Sequence, residues 1–404
     1  AGTGGKGSVT TMIGSLLQET GLRVGVHTSP YLQVPNEKLL VNGKMAAPSK
    51  FTSLVNGFKQ QYDEFTSKYP NLTPRHSEAW VAMVHLYFAQ QQVDWGVIET
   101  GMGGRFDPTN VLSPELSVIT NVDFDHVPQL GTTLEEIAFH KAGIIKPSKP
   151  VITGETKTAV LDVIQREASD KNSPLFRTGQ DFNVEVKTMG ETGSVVDIAT
   201  PLHRYSDIKI NLPGIFQPQN AATAVMAVDI LSSRHQIPLT SEKIERALRS
   251  IKFAGRMEKV QAHPTVILDG ANNPQKMESL ARSLQAVYGN RTYTLIVGML
   301  ATKDASSSIT YLLPNVHRVV ATSPHIFGKP SIKIEDMAGL IRTIDPAKNV
   351  ETADNAVEAI RRVLNGAVPG ELIVVTGSIY MLGEAREHWF PKKDILLEAE
   401  YGHS

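Results

Sequence analysis

The sequence predicts an α/β protein of two units built on mainly parallel sheets. Three observations carry that prediction. Short apolar runs of strand type alternate with amphipathic helical runs along the whole chain, the pattern of parallel sheets covered by helices. The chain opens on a glycine-rich loop, "AGTGGKGS", that leads directly into a helical stripe. The alternation restarts after Gly255 interrupts it in "KFAGRMEK". A chain of 404 residues is long for one core and ample for two units of about 100–250 residues. The predicted units are 1–254 and 257–404, the second being the smaller.

In order, Val9, Met12, Ile13, Leu16 and Leu17 recur at the spacing of one helix face. "LRVGVHT" reads as a strand, "SEAWVAMVHLYFAQQ" as a helix, "DWGVIET" as a buried strand and "LSVITNV" as another strand. "TTLEEIAFHKAGII" reads as a helix opened by a Thr133–Glu136 capping box. "PVITGE" is a strand, residues 177–212 form strands or an edge meander, and "PQNAATAVMAVDILSSRH" is a small-residue helix suited to close packing. The second cycle runs from "PTVILDGANNP" through helix "QKMESLARSLQAVY" and strands "TLIVGM" and "RVVATSP". It ends on helix "DNAVEAIRRVLNG" and the strand, loop and helix of "ELIVVTGSIYMLGEAREHW". A phosphate loop ordinarily follows a buried strand, so a strand is expected ahead of Ala1.

Composition narrows the function classes. Hydrophobic residues are 41% and charged residues 20%, as in ordinary globular proteins. A formal net charge of −1 gives no global basic field for nucleic acid, so any anionic ligand must be held by local groups. Cysteine is absent, which excludes disulfides, thiolate metal sites and a cysteine nucleophile. There is no apolar run of about 18 residues for a membrane span, and the opening residues do not read as a signal peptide. A soluble, cytoplasmic protein acting on small molecules is expected, and a monomer.

Three stretches carry chemistry. "GTGGKGS" (Gly2, Thr3, Gly4, Gly5, Lys6, Gly7, Ser8) is a short phosphate loop. Its glycines let backbone amides wrap an anion, the helix N-terminus adds its dipole, and Lys6 adds a mobile charge. Ser8 is placed to ligate magnesium carried with a nucleotide. In "DWGVIETGMGGRFDPTN", Glu99 ends an apolar strand beside a glycine-rich loop, where open α/β sheets collect ligands. It is a natural second magnesium ligand, or else a solvated strand end. Arg105 and Asp107 either contact substrate or brace that loop. In "NVDFDHVPQLGTTLEEIAFHKAGIIKP", Lys141 shares a face with Leu134, Ile137, Ala138, Ile144 and Ile145. Either its amine snorkels to water, or it is desolvated, reactive as a neutral amine and open to carbamylation by carbon dioxide. His126, after a strand end, is a candidate metal ligand or a plain loop histidine.

Taken together, these stretches resemble the folylpolyglutamate synthase/dihydrofolate synthase family of the Mur ligase superfamily. The resemblance covers nearly the whole chain. It also rests on "HTSPYL", "FQPQNAATA", "AGRMEKV", "ILDGANNP", "VGMLATKD" and "VTGSIYMLGEAR", all in the family's order. The gaps of 27 residues from Glu99 to His126 and 15 from His126 to Lys141 are similar to the family's. It implies an N-terminal P-loop-type ATPase domain, a C-terminal Rossmann-like glutamate ligase-type domain, and ATP-dependent addition of L-glutamate to folate or dihydropteroate. It further implies that Lys6 and the loop amides hold ATP phosphates. Ser8 and Glu99 would bind a first Mg2+ with Ser29 nearby, Glu99 and His126 a second, and Lys141 would be carbamylated. Gln217 and Asn220 would lie near the adenine, and Arg256 and Asp269 would reach the nucleotide from the second unit. Ser29, Pro30, Arg105, Asp107 and Asn272 would serve substrate, with the loop from Ser29 to Glu37 lining the pteroate pocket. Departures from the family pattern are Gly4 for Asn, Tyr31 for His, His140 for Glu and Asn272 for His. The alternatives are a Mur-type ligase acting on another acid, and a homologue that binds ATP without ligating.

Overall fold

The computed structural model describes residues 1–402, so His403 and Ser404 of the expected second unit lie outside the described residues. The opening loop becomes α1 (Lys6–Glu19) at Gly5, whose φ of 73° is left-handed backbone. A Cβ there would also fall 2.5 Å from Asn220 Oδ1, so conformation and space both require glycine. The stripe from Val9 to Leu17 is buried, as its spacing requires. There follow β1 (Val24–His27), β2 (Leu40–Val41), β3 (Lys44–Met45), α2 (Pro48–Lys68), α3 (His76–Gln90) and β4 (Trp95–Ile98). Their sheet runs β3-β2-β1-β4, with β1 and β4 parallel and Val26 opposite Val97. β4 departs from the expected buried strand: Gly96 is exposed and its other three residues are half-buried. The reason is its second edge, which faces a cavity of about 450 Å³ shared with the next strand.

That strand is β5 (Ser117–Ile119), followed by α4 (Val127–Leu130), α5 (Leu134–Ala142), β6 (Val151–Thr153), α6 (Thr158–Asp170) and β7 (Leu175–Arg177). β5, β6 and β7 form a parallel sheet in that order. Ala1 lies along the free edge of β5, its nitrogen donating to Val118 O at 2.7 Å and its carbonyl accepting from Thr120 N at 2.9 Å. The capping box of α5 is formed, Glu136 N donating to Thr133 Oγ1 and Thr133 N to Glu136 Oε2, each at 3.2 Å. The helix is shorter than its stripe. Gly143 stops it after Ala142, so Ile144 and Ile145 are buried beyond its end.

Residues 177–212 contain the meander: β8 (Asn183–Gly190), β9 (Gly193–Ala199) and β10 (Arg204–Ile210), antiparallel in the order β10-β9-β8. α7 (Gln217–His235) packs between the meander and α1, with Ala221, Ala222, Ala224 and Ala227 fully buried. Their small side chains permit the close approach. α8 (Ser241–Ser250) completes this core.

The rest of the chain supplies β11 (Glu258–Gln261), β12 (Thr265–Leu268), α9 (Pro274–Tyr288), β13 (Tyr293–Val297), α10 (Ala305–Thr310) and β14 (Val316–Ala321). Next come α11 (Ile334–Ile344), β15 (Asn349–Thr352), α12 (Ala356–Asn365), β16 (Leu372–Thr376), α13 (Ile379–Arg386) and α14 (Lys392–Tyr401). The six strands form one sheet, β11-β12-β16-β13-β14-β15, parallel except for β11. Val266–Leu268, Leu295–Val297 and Ile373–Val375 are fully buried continuous runs. Such runs belong to strands covered on both faces, and separate cores lie on the two sides. Among the described residues no helix is long and apolar enough to cross a membrane.

Candidate functional site

The glycine-rich loop of residues 2–8 is braced from the end of β5. Thr3 N donates to Asn121 O at 2.9 Å, Thr3 Oγ1 and Asp123 exchange hydrogen bonds, and Gly4 N donates to Asn121 Oδ1 at 2.8 Å. Lys6 folds its amine back onto Gly2 O at 3.0 Å. Ser8 is buried one turn into α1, where Gln217 Nε2 reaches its hydroxyl at 3.5 Å. Asn220 holds the Gln217 amide oxygen at 3.0 Å, so both residues stand beside the start of α1. Gly7 lies against Phe253, whose ring a Cβ would approach to 2.7 Å.

Glu99, 6% exposed, ends just beyond β4 next to that loop. Burial raises its pKa, opposed by the Lys6 charge, the Ser29 N–H at 3.0 Å and Arg256. Ser29 therefore meets the carboxylate through its backbone, and Pro30 after it is exposed. Asp107 braces its own loop, accepting from Thr109 N at 3.0 Å and Met102 N at 2.9 Å. Arg105 is likewise engaged within the fold. It donates to Glu167 at 2.5 Å and to Phe139 O at 3.2 Å, and lies over the Phe139 ring.

His126 adopts a left-handed conformation, φ 55°, at the start of α4, and burial lowers its pKa. Its neighbour Asp125 reaches across to the second unit, accepting from Lys303 Nζ at 2.8 Å and pairing with Lys276 Nζ at 3.4 Å. Burial acts to raise the Asp125 pKa, but the two lysines outweigh it and hold the carboxyl well below the usual range. Lys141, 3% exposed on α5, is lowered to about 7 by burial and then by the Lys6 charge. The Lys6 charge acts to lower the pKa of Glu99, His126 and Lys141 alike.

From the second unit, Arg256 lies over Phe253 at 5.4 Å and donates to Gly255 O at 2.9 Å. Asp269 follows β12 and accepts from Met257 N at 2.9 Å and Ala271 N at 2.8 Å. Desolvation raises its pKa and Arg256 opposes that. Asn272 accepts from Lys276 Nζ at 3.3 Å. Among the described residues, no three His, Asp or Glu side chains converge as a metal cage.

Residues 1–228 match the Mur ligase middle domain, and residues 255–379 match the glutamate ligase domain of Mur ligases. The dihydrofolate synthase/folylpolyglutamate synthase of Bacillus subtilis is 35% identical over 393 residues, spanning 96% of this chain and 89% of that protein. The chain belongs to the folylpolyglutamate synthase/dihydrofolate synthase family of Mur ligases. The solved Mycobacterium tuberculosis folylpolyglutamate synthase complexed with ADP and AMPPCP superimposes with a TM-score of 0.90 at 28% identity, covering 96% of this chain and 90% of that one. The Thermotoga maritima folylpolyglutamate synthase gives 0.84 at 30% identity, covering 96% and 87%. At Gly4 a Cβ would meet Asn121 at 3.5 Å, ordinary contact, so the backbone there has room for a side chain. Lys276 and Lys303 escaped the sequence reading although each lies in or beside a motif, because only the fold brings them to Asp125.

Proposed function

We propose that this chain is an ATP-dependent ligase that adds L-glutamate to the carboxylate of folate or dihydropteroate through an acyl phosphate. ADP and phosphate are the other products. One observation carries the reading: Glu99 Oε2 lies 3.5 Å from where a Gly7 Cβ would stand in the glycine-rich loop, with the Lys6 charge acting on Glu99, His126 and Lys141 and Arg256, over Phe253 beside that loop, also acting on Glu99. The relatives' names supply the substrates, and a similar solved structure, at TM-score 0.80 and 28% identity, is an AMPPCP and folate complex.

The amides at the start of α1 and the Lys6 ammonium hold the β- and γ-phosphates and neutralise charge as a substrate carboxylate oxygen attacks the γ-phosphorus. ADP leaves. The glutamate amine then attacks the acyl carbon, and the tetrahedral adduct collapses with loss of phosphate and the amine proton. Arg256, at the boundary, and Asp269, in the second unit, close the nucleotide site; we place the units at 1–254 and 257–404. Gln217 and Asn220 fix the register of α1 beneath the phosphates and toward the adenine. Ser29, Pro30, Arg105, Asp107 and Asn272 shape or brace the acid pocket.

The oxygen donors of Ser8 and Glu99 suit Mg2+, which takes one or two protein oxygens and completes its shell with phosphate and water. Ser8, Glu99 and the Ser29 region would hold one ion, and Glu99 with His126 a second. Bound Mg2+ supplies charge neutralisation at the phosphoryl group. Lys141 is read as carbamylated. Its amine makes no hydrogen bond or ion pair with the described residues, its pKa of about 7 leaves much of it neutral, and R–NH2 with CO2 gives R–NH–COO⁻ and a proton. The resulting anion faces Lys6 rather than opposing it. We read the protein as a cytoplasmic monomer. Glutamate-dependent phosphate release from ATP, measured with dihydropteroate and with tetrahydrofolate, tests the proposal. Phosphate release indifferent to glutamate with both acids would overturn it.

A further inference from the structure

We propose that Gln33 and Arg386 form a joint that couples the loop from Ser29 to Leu39 to the segment carrying Arg256. The kinetic consequence rests on the ligase reading above; the geometry does not. The loop starts at the candidate site, where Ser29 N–H donates to Glu99 Oε2 at 3.0 Å. It then leaves the first unit. Leu32 packs into the core of the second with Ile379 and Leu382, and its carbonyl lies so near Gly383 that a Cβ there would sit 2.1 Å away. Glu37 stiffens the turn, its carboxylate accepting from Leu32 N at 2.6 Å, Gln33 N at 3.0 Å and Val34 N at 3.1 Å.

Gln33 is 5% exposed and both ends of its amide are engaged with the second unit. Nε2 donates to Phe390 O at 2.8 Å, and Oε1 accepts from Arg386 Nη1. The same guanidinium grips Glu258 from its other edge, Nε to Oε1 at 3.0 Å and Nη2 to Oε1 at 2.9 Å, and lies 4.0 Å from the centre of the Phe390 ring. Glu258 Oε2 in turn accepts from Gly255 N at 2.9 Å. Gly255, at a φ of 71°, immediately precedes Arg256, and its carbonyl receives the Arg256 guanidinium and Gly270 N, each at 2.9 Å. A continuous series of hydrogen bonds therefore joins the loop that touches Glu99 to the backbone that aims Arg256. The amide suits this position, since it offers a donor for Phe390 O and an acceptor for Arg386 together. A buried network with every member satisfied rigidifies what it connects. Gln33 and Arg386 touch neither nucleotide nor the reacting atoms, and are positioning residues.

The joint has a specific consequence. An acyl phosphate is hydrolysed if water reaches it before the amine does, giving back the acid and phosphate, and closure of the two units around it is what prevents this. A loosened joint admits water, so phosphate is released without an amide being made. The test measures phosphate and glutamylated product in one reaction at saturating substrates, together with MgATP affinity and small-angle scattering of the ligand-free protein. Wild-type protein should release one phosphate per amide. Gln33→Leu should raise that ratio several-fold, weaken MgATP binding as Arg256 loses its aim, and increase the radius of gyration. Arg386→Lys, which keeps the charge but loses the fork, should fall between. A ratio fixed at one in a folded Gln33→Leu protein, with an unchanged radius, overturns the joint. Should Gln33→Leu not fold, Gln33→Glu and Arg386→Lys carry the same comparison. Wild-type protein that forms no amide overturns the ligase reading alone. The joint is then decided by scattering: a larger radius in the variants supports it and an identical one overturns it.

Discussion

Replacing Asp125 with Asn removes the one carboxylate that holds two lysines of the second unit against the first. Its side chain is 11% exposed, Lys303 is 15% exposed at 2.8 Å, and Lys276 is 31% exposed at 3.4 Å. A well-buried hydrogen bond between charged groups contributes about 1.5–3 kcal/mol. The longer, wetter Lys276 contact contributes at most about 1 kcal/mol. Asp125→Asn should therefore lose about 1.5–4 kcal/mol in urea unfolding at pH 7. The carboxyl is held below its ordinary pKa in the fold. Its contribution is thus fully present above the unfolded value of about 3.9 and is lost as pH falls through the folded one. The gap between wild type and variant should stay level from pH 5 to 7 and close under acid. Above pH 8 it should narrow, because Lys276, lowered to about 8 by burial, gives up its proton. A double-mutant cycle with Lys303→Met assigns the effect to the pair. Equal midpoints for wild type and Asp125→Asn at pH 7, or strict additivity in the cycle, would refute the reasoning.

Lys6→Ala and Ser8→Ala should each lower ligation about 10²–10³-fold, as loss of one preorganised charge-stabilising group does; steady-state kinetics and MgATP titration check this, and unchanged values in both variants contradict it. At fixed dissolved CO2, the Lys141 carbamate should rise between pH 6 and 8. With a pKa of about 7, the neutral amine grows from about one-tenth to nine-tenths across that range. Carbon-13 NMR with labelled CO2 reads it, and a signal absent from wild type or retained in Lys141→Arg counts against the assignment. On the proposal that Arg256, at the boundary, and Asp269, in the second unit, complete the nucleotide site, MgATP with the acid substrate should contract the scattering profile, and superimposable profiles would exclude closure.

Much of this was legible because it is written locally. The phosphate loop, the α1 stripe, the α5 capping box and the apolar runs of β12, β13 and β16 each depend on residues close in sequence. α2 was missed although Phe51, Leu54, Val55, Phe58, Tyr62 and Phe65 recur at helical spacing; of that stripe only Leu54 is fully buried. Lys141 could be singled out because a cation in an apolar stripe is anomalous, and the structure buries it. Gln33, Arg386, Lys276 and Lys303 carried no such anomaly, since their partners lie about a hundred to several hundred residues away. Arg105 and Asp107 were ambiguous for the opposite reason. The loop they sit in looks the same whether its polar groups face a ligand or, as here, the backbone and Glu167.

The account stands most directly on the covalent product. Wild-type protein is incubated with ATP, Mg2+, L-glutamate and either dihydropteroate or tetrahydrofolate, and the pterin is weighed by mass spectrometry. The account predicts a pterin heavier by one glutamyl residue, or by several added in turn, with one ADP formed per residue and no multiple turnover of ATP when glutamate is withheld. Unmodified pterin from both acids, alongside ADP that accumulates regardless of glutamate, would contradict it.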